Sequence, residues 1–264
     1  MIFWTKFFQR FAWGNNMRQK YGQNFLADKN IALKIVNAAN LAGDDFVVEI
    51  GPGKGALTKF IVGLTNNFLA LEIDRTLSAD LKNAFPNANF INVDALKFDF
   101  PTHPYKVVSN LPYNAATAII GKILPSPQWT EAVFMVQKEV AQRILAHSGC
   151  KEFGYFTLFC SYFAQITHLF DVRPTCFNPQ PKVMSAVISC KNKTPNPPPP
   201  ALFKLIKHCF GLRRKTILNS ISSFINLDKK QTTEICLQCN LDPMLRPDRL
   251  SLADWLLLTD CIKM

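Results

Sequence analysis

The stretch Val47-Val48-Glu49-Ile50-Gly51-Pro52-Gly53-Lys54-Gly55 decides the fold. Its apolar half is typical of a short strand, and the closely spaced glycines that follow precede a helical pattern. Glycine lets the backbone turn sharply and lets a ligand lie against it, because no Cβ is in the way. The stretch therefore predicts a strand, a turn and a helix that together hold a ligand. Taken alone, it fits NAD, another nucleotide or a purely structural turn.

Acidic residues end the next two predicted strands. Glu72 closes the second strand, where an acid typically accepts hydrogen bonds from both ribose hydroxyls of a nucleoside. Asp94 ends the third strand, where a carboxylate or its neighbours can reach an adenine amino group, or where it can cap the following helix. Ligand-competent residues at the ends of three successive strands predict a nucleoside cofactor at the carboxyl edge of the sheet.

Short apolar runs alternate with helical patterns in this part of the chain, which indicates crossover units and a parallel sheet. The predicted strands are 45–50, 67–73, 89–93, 105–109 and 132–136. Two further strands, 164–172 and 183–190, flank a proline-rich turn, which predicts an antiparallel hairpin at the sheet edge.

The sharpest change of composition is KNKTPNPPPP at 191–200, where consecutive prolines forbid helix and impose a stiff spacer. Beyond it, apolar residues recur at helical spacing in 202–210, 217–225 and 252–262. We expect a basic aromatic arm at 1–20, a catalytic domain at 21–190, a linker at 191–200 and a small all-α domain at 201–264. The predicted fold class is therefore α/β, a mostly parallel Rossmann-like sheet followed by helices.

The charge of the chain points to a polyanionic partner. Lys and Arg number 30 against 19 acids, which gives a net charge of +11. Such a charge suits nucleic acid or an acidic membrane surface, and composition cannot choose between them. No apolar run reaches the roughly 18 residues of a spanning helix, so we expect no membrane span. Residues 191–264 carry 12 Lys and Arg against 6 acids, so the linker and the helical domain together hold more than half of the excess charge.

The first twenty residues combine four basic and six aromatic residues with no acid. This composition fits an organelle transit peptide, a membrane-surface helix or an arm that touches RNA. Alternatively, Met17 is the biological start and the preceding residues are an artefact of start assignment. We expect a cytoplasmic protein, with organellar import through the arm as the alternative.

The eight cysteines are scattered through apolar segments, which indicates reduced thiols. Cys236 and Cys239 form a CxxC, but no second pair accompanies them, so we predict no metal site and interpret them as half-buried helix cysteines. The four histidines have no partner pattern, and none is expected to be catalytic.

The tetrapeptide Asn110-Leu111-Pro112-Tyr113 follows the fourth strand and carries the chemistry. The exocyclic nitrogen of adenine is a poor nucleophile because its lone pair is delocalised into the ring. An Asn side-chain oxygen and a backbone carbonyl held rigid by proline can accept both amino hydrogens, which frees that lone pair for attack. Tyr113 offers a face on which the base can stack. A turn that merely closes a buried strand would explain Pro112 and Tyr113, but it would not explain the side-chain amide of Asn110.

Over nearly its whole length, the sequence resembles the ribosomal RNA small-subunit adenine dimethyltransferases. Two of the motifs that carry the resemblance, the glycine turn and Asn110 to Tyr113, are described above. The remaining motifs are Tyr21-Gly22-Gln23-Asn24-Phe25-Leu26, Leu71-Glu72-Ile73-Asp74, Val93-Asp94-Ala95, Gln137-Lys138-Glu139-Val140-Ala141, Phe177-Asn178-Pro179-Gln180-Pro181-Lys182-Val183 and Arg213-Arg214-Lys215-Thr216. The resemblance implies a class I methyltransferase that uses S-adenosylmethionine to N6-dimethylate two adjacent adenines in the 3′-terminal hairpin of small-subunit rRNA. The implied partner is a 30S assembly intermediate, and we expect a monomer.

The resemblance also assigns residues. The implied cofactor contacts are Asn24, Leu26, Gly51, Gly53, Glu72, Asp94 and Asn110. The implied residues that orient the target adenine are Asn110, Pro112 and Tyr113, with Phe177 stacked on the other face of the base. For phosphate contacts, the basic helical domain offers Lys204, Lys207, Arg213, Arg214 and Lys215, although any single one of them could merely solvate a helix face.

Three other functions compete with this interpretation. An NAD-dependent dehydrogenase would use the glycine turn and Glu72, but it leaves the tetrapeptide unexplained. A non-catalytic RNA-binding assembly factor would not need Asn110. The related large-subunit rRNA adenine methyltransferases share the chemistry, but Leu111 and the Arg213 to Thr216 region fit the small-subunit group better.

Overall fold

The computed structural model describes residues 24–262. The arm predicted at 1–20 lies outside the described residues. The described chain forms two compact units. The first contains residues up to 141 together with 164–192, and the second contains 142–163 together with the residues from 193 onward.

A seven-stranded sheet is the centre of the first unit. Its strand order is β4-β3-β2-β5-β6-β9-β7, and β1 and β8 form a separate antiparallel pair. The strands are β1 (Phe25–Leu26), β2 (Val47–Ile50), β3 (Phe68–Glu72), β4 (Asn89–Asn92), β5 (Tyr105–Asn110), β6 (Trp129–Gln137), β7 (Ala164–Val172), β8 (Phe177–Asn178) and β9 (Ser185–Asn192).

The sheet is mixed in the way that the sequence predicts. Strands β4, β3, β2, β5 and β6 run parallel, and every residue of β2 and β3 is buried, as expected for strands covered on both faces. Strand β9 pairs antiparallel with both β6 and β7, which places the hairpin at the edge. The predicted Rossmann-like class is therefore confirmed.

The helices of the first unit connect its strands. They are α1 (Lys29–Ala38), α2 (Thr58–Ile61), α3 (Arg75–Ala84) and α4 (Ala116–Ile123), and α5 (Lys138–Leu145) continues from this unit into the second. Asp28 and Asp74 accept hydrogen bonds from the first backbone amides of α1 and α3. Such side chains satisfy amides that have no partner inside the helix, and this fixes where the two helices begin.

The second unit is helical. It contains α6 (Tyr155–Phe163), α7 (Leu202–Gly211), α8 (Ile217–Ile225), α9 (Lys229–Gln238) and α10 (Leu252–Cys261).

Cys236 and Cys239, predicted to be half-buried, are 0% and 2% exposed. Within 24–262, no group of side chains has the composition of a metal site, and no helix has the length and hydropathy needed to cross a bilayer.

The boundary between the units differs from the predicted one. The change of unit between residues 192 and 193 falls inside the predicted linker, but residues 142–163, predicted to belong to the catalytic domain, lie in the helical unit. The reason is aromatic packing around Phe203 of α7. Its ring centroid lies 5.2 Å from that of Phe159 and 5.9 Å from that of Phe163, both on α6. This packing brings α6 and α7 together, although the hairpin strands β7 and β9 lie between them in the sequence.

Candidate active site

Nine of the ten residues predicted to hold the cofactor or orient the adenine line one cavity in the first unit. The cavity encloses about 1120 Å³ of empty space, its open mouth included, at the carboxyl ends of β2, β3 and β5. The predicted residues on its wall are Asn24, Leu26, Gly51, Gly53, Glu72, Asp94, Asn110, Pro112 and Tyr113.

The glycine turn needs its glycines. Gly51 and Gly53 have φ values of +66° and +59°, in the left-handed region that side chains disfavour. A Cβ on Gly53 would lie 3.0 Å from Cδ1 of Phe25, so the turn has no room for a larger residue. The backbone of the turn is thus exposed directly to the cavity.

Glu72 organises the same turn. Its Oε2 accepts a hydrogen bond from the Gly53 amide at 3.1 Å, and its Oε1 accepts one from the Asp74 amide at 2.9 Å. The side chain is 2% exposed, and burial raises its pKa, against the opposing effect of the two amides. Each carboxylate oxygen keeps a further lone pair for a ligand. Sequence reasoning gave Glu72 a ligand role but missed its bond to the glycine turn.

Of the two roles that the sequence left open for Asp94, the helix cap is not formed, because residues 95–97 form a turn and not a helix. Asp94 Oδ1 accepts a hydrogen bond from the Leu96 amide at 2.9 Å, which closes a local turn, and the residue also lines the cavity. Lys122 supports this loop from α4 because its Nζ donates to the carbonyls of Leu96 and Phe98. These hydrogen bonds therefore hold in place the loop after β4, which forms part of the cavity wall.

Asn110 presents an unused acceptor to the cavity. It is the last residue of β5, and its Oδ1 is buried without a hydrogen-bond partner within residues 24–262. Buried polar atoms are nearly always paired, so an unpaired one in a cavity wall indicates a ligand contact. The Pro112 carbonyl accepts hydrogen bonds from the amides of Ala115 and Ala116, which fixes the turn that follows. Tyr113 completes this wall with its half-buried ring.

Phe177 is not part of the cavity wall. Its side chain is 3% exposed and packs in the hydrophobic core, and its backbone pairs with Leu26 of β1. In this conformation the Phe177 ring does not face the cavity in which we expect the target base to bind. The expected stacking of Phe177 on the base stays a prediction, and it requires the side chain to leave the core.

Glu49 is a cavity residue that sequence reasoning did not single out. It is 1% exposed within β2, and Thr58 Oγ1 donates a hydrogen bond to its Oε2 at 2.7 Å. Burial, reinforced by the charge of Glu72, raises the pKa of Glu49 to about 8. The available signal was an acid inside an otherwise apolar strand, directly before the glycines.

This raised pKa predicts how stability depends on pH. The unfolded chain releases the Glu49 proton near pH 4.5 and the folded protein near pH 8, so folded protein binds the extra proton between these values. The free energy of unfolding should therefore fall as the pH rises through this window, by up to about 1.4 kcal/mol per pH unit. We expect Glu49→Gln to remove this slope, as measured by urea unfolding at a series of pH values. The exposed Glu234→Gln is the control, and an unchanged slope in Glu49→Gln would contradict the assignment.

The five predicted RNA-binding residues lie in the second unit and differ in their surroundings. Arg213 donates from Nη2 to the Cys150 carbonyl at 3.2 Å and lies 3.6 Å from an Asp248 carboxylate oxygen, so it also has a structural role. Arg214 and Lys215 are exposed and form no ion pair in the described part of the chain. Lys204 and Lys207 are exposed on α7.

Comparison with known proteins identifies the family of the chain. The family model for ribosomal RNA adenine dimethylase matches residues 14–262. Ribosomal RNA small subunit methyltransferase A of Malacoplasma penetrans is 39% identical over 238 residues, which cover 88% of this chain and 87% of that protein. The crystal structure of a dimethyladenosine transferase from Plasmodium falciparum matches with a TM-score of 0.81 and 26% identity, over 89% of this chain and 95% of that one.

The 23S rRNA methyltransferase ErmE shares the fold, with a TM-score of 0.70 at 23% identity over 91% of this chain and all of that one. The resemblance found in the sequence is thereby confirmed, and the chain belongs to the ribosomal RNA adenine dimethylase family.

Proposed function

We propose that this protein uses S-adenosylmethionine to dimethylate N6 of two adjacent adenines in the 3′-terminal hairpin of small-subunit rRNA. We further propose that it acts in the cytoplasm as a monomer on a 30S assembly intermediate. The single observation that carries the reaction is the buried Oδ1 of Asn110 in the cavity wall, which has no hydrogen-bond partner in the described part of the chain. The name of the Malacoplasma relative supports the choice of the small subunit.

The cofactor side of the cavity suits a nucleoside methyl donor. Glu72 offers lone pairs to ribose hydroxyls, and Gly51 and Gly53 allow the ligand to approach the backbone. When bound, S-adenosylmethionine supplies a methyl group on a cationic sulfur. The residues of this chain have to hold the donor and the amine in line, and alignment of this kind can account for a large part of a rate enhancement.

The adenine side of the cavity offers two acceptors. Asn110 Oδ1 would accept one amino hydrogen. The Pro112 carbonyl is engaged by Ala115 and Ala116, so we assign the second hydrogen to the Leu111 carbonyl, which the Pro112 ring holds in place. Tyr113 would stack on the base, which must leave the RNA stack to enter. The amine attacks as a neutral group and releases its proton after transfer, so no general base of unusual pKa is needed.

A labelling experiment tests the proposal. Purified protein is incubated with methyl-labelled S-adenosylmethionine and with 30S or 50S particles from cells that lack this modification. We expect label only in the 30S particles, at N6 of adjacent adenines in the 3′-terminal hairpin. Label in 50S particles would indicate the large-subunit activity instead, and unlabelled 30S particles would refute the proposal.

Within the basic run Arg213 to Lys215, we expect Arg214 and Lys215 to contact phosphate groups of the RNA. Replacing Arg214 and Lys215 together with alanine should weaken 30S binding and reduce the slope of log K against log salt by about 0.7–0.9 per lost contact. Arg213 is kept, because its bonds to Cys150 and Asp248 would confound binding with stability. The control is the exposed pair Lys229 and Lys230, also replaced with alanine. Equal salt slopes in wild type and the Arg214/Lys215 variant would exclude these residues from the interface.

A further inference from the structure

The hydroxyl group of Tyr113 is held from outside the cavity. Its Oη lies 2.7 Å from Oγ of Ser185, within hydrogen-bonding distance. Tyr113 lines the cavity and is half-buried, whereas Ser185 is 0% exposed and is not part of the cavity wall. The tyrosine ring therefore reaches from the cavity into the protein, where its polar end is bound.

The sheet holds Ser185 in place. Ser185 is the first residue of β9, in register with Gln137 of β6 and Val172 of β7. The preceding carbonyl, that of Met184, accepts a hydrogen bond from the Lys138 amide at 2.9 Å. Ser185 thus belongs to a three-stranded part of the sheet, whereas Tyr113 lies in the turn between β5 and α4. The bond ties a turn residue to a rigid element.

This bond restricts the orientation of the ring. A tyrosine side chain in a turn has several staggered rotamers available to it. Any rotamer that separates Oη from Ser185 leaves the buried serine hydroxyl without its partner, which costs free energy. The hydrogen bond therefore favours the rotamer in which the Tyr113 ring forms part of the cavity wall beside Asn110.

We propose that Ser185 is a positioning residue for methyl transfer, fixing the plane of the Tyr113 ring so that a stacked adenine presents its amino group to Asn110. The proposal rests on the function proposed above. Ser185 touches neither the base nor the methyl donor, so it acts only through Tyr113. A small misplacement of a reacting group can lower the rate substantially without weakening the binding of either substrate.

A double-mutant cycle tests the proposal through its non-additivity. Ser185→Ala and Tyr113→Phe each remove one half of the same hydrogen bond, and both keep the aromatic ring. We expect each variant to lower kcat about 10-fold, and the double variant to be no slower than either single one. The dissociation constant for S-adenosylmethionine should stay within about twofold of wild type, since Ser185 lies outside the cavity wall.

Ser220→Ala is the matched control, because Ser220 is also 0% exposed and donates a hydrogen bond to the Thr216 carbonyl at 2.9 Å. It should keep the wild-type kcat. A wild-type kcat in Ser185→Ala, or a double variant whose loss is the product of the two single losses, would overturn the proposal.

A second measurement does not depend on methyl transfer. In protein with ¹³C-labelled tyrosine rings, Tyr113→Phe identifies the Tyr113 signals by their disappearance. Ser185→Ala should shift these signals and narrow them as the ring gains freedom, and unchanged signals would refute the positioning role. If wild-type protein transferred no methyl group, the proposed function would fail, while the ring signals would still decide whether Ser185 holds Tyr113.

Discussion

Replacing Asn110 with alanine should lower the rate of methyl transfer by about 10²–10³-fold, while the affinity for S-adenosylmethionine falls by no more than several-fold. The side-chain oxygen of Asn110 is buried in the cavity wall and has no hydrogen-bond partner among residues 24–262, and alanine removes it. The adenine nitrogen then keeps its lone pair in the ring and remains a poor nucleophile. The rate is measured with 30S particles and labelled donor, and cofactor affinity by calorimetry.

Asn83→Ala provides the matched control for this variant, because it makes the same substitution at an exposed position of α3. It should behave as wild type in both measurements. Full activity in Asn110→Ala would remove the role given to Asn110. If Asn110→Ala lost affinity for S-adenosylmethionine in proportion to its loss of activity, Asn110 would contact the cofactor and not the adenine.

Replacing Glu72 with alanine should weaken S-adenosylmethionine binding by about 10²–10⁴-fold. A hydrogen bond to a charged group contributes about 1.5–3 kcal/mol, and the carboxylate is expected to accept two from the ribose. The loss has a second cause, because the Gly53 amide loses its acceptor and the turn loses a constraint. Calorimetric titration with the donor measures the affinity.

Asp80→Ala, which removes a carboxylate from an exposed position of α3, is the control for Glu72→Ala. Thermal unfolding of both variants without donor distinguishes the two causes, since damage to the turn lowers stability and loss of the ribose contact does not. Donor affinity in Glu72→Ala within threefold of wild type would contradict the ribose role.

The parts of the fold that local pattern determines could be predicted from the sequence. The crossover strands and the edge hairpin follow from apolar periodicity and from the prolines between 173 and 181, and the structure has them in the predicted places. The glycine turn, Glu72, Asp94 and Asn110 could be predicted as one site because parallel strands bring their carboxyl ends to one edge.

The remaining features depend on contacts between distant parts of the chain. The aromatic packing of α6 against Phe203 assigns residues 142–163 to the helical unit, and no local pattern marks it. The core position of Phe177 and the bond between Ser185 and Tyr113 likewise arise from strand pairing far along the chain. The buried acid Glu49 was visible in the sequence, but its cavity position follows only from the strand that carries it.

The helical unit is assembled from two separate segments, and this limits how the protein can be divided. A fragment that ended at the prolines would keep α6 and lose Phe203, so Phe159 and Phe163 would lose their shared aromatic neighbour. Newly uncovered rings of this kind promote self-association. A chimera that exchanges this unit between relatives would therefore have to transplant both segments together.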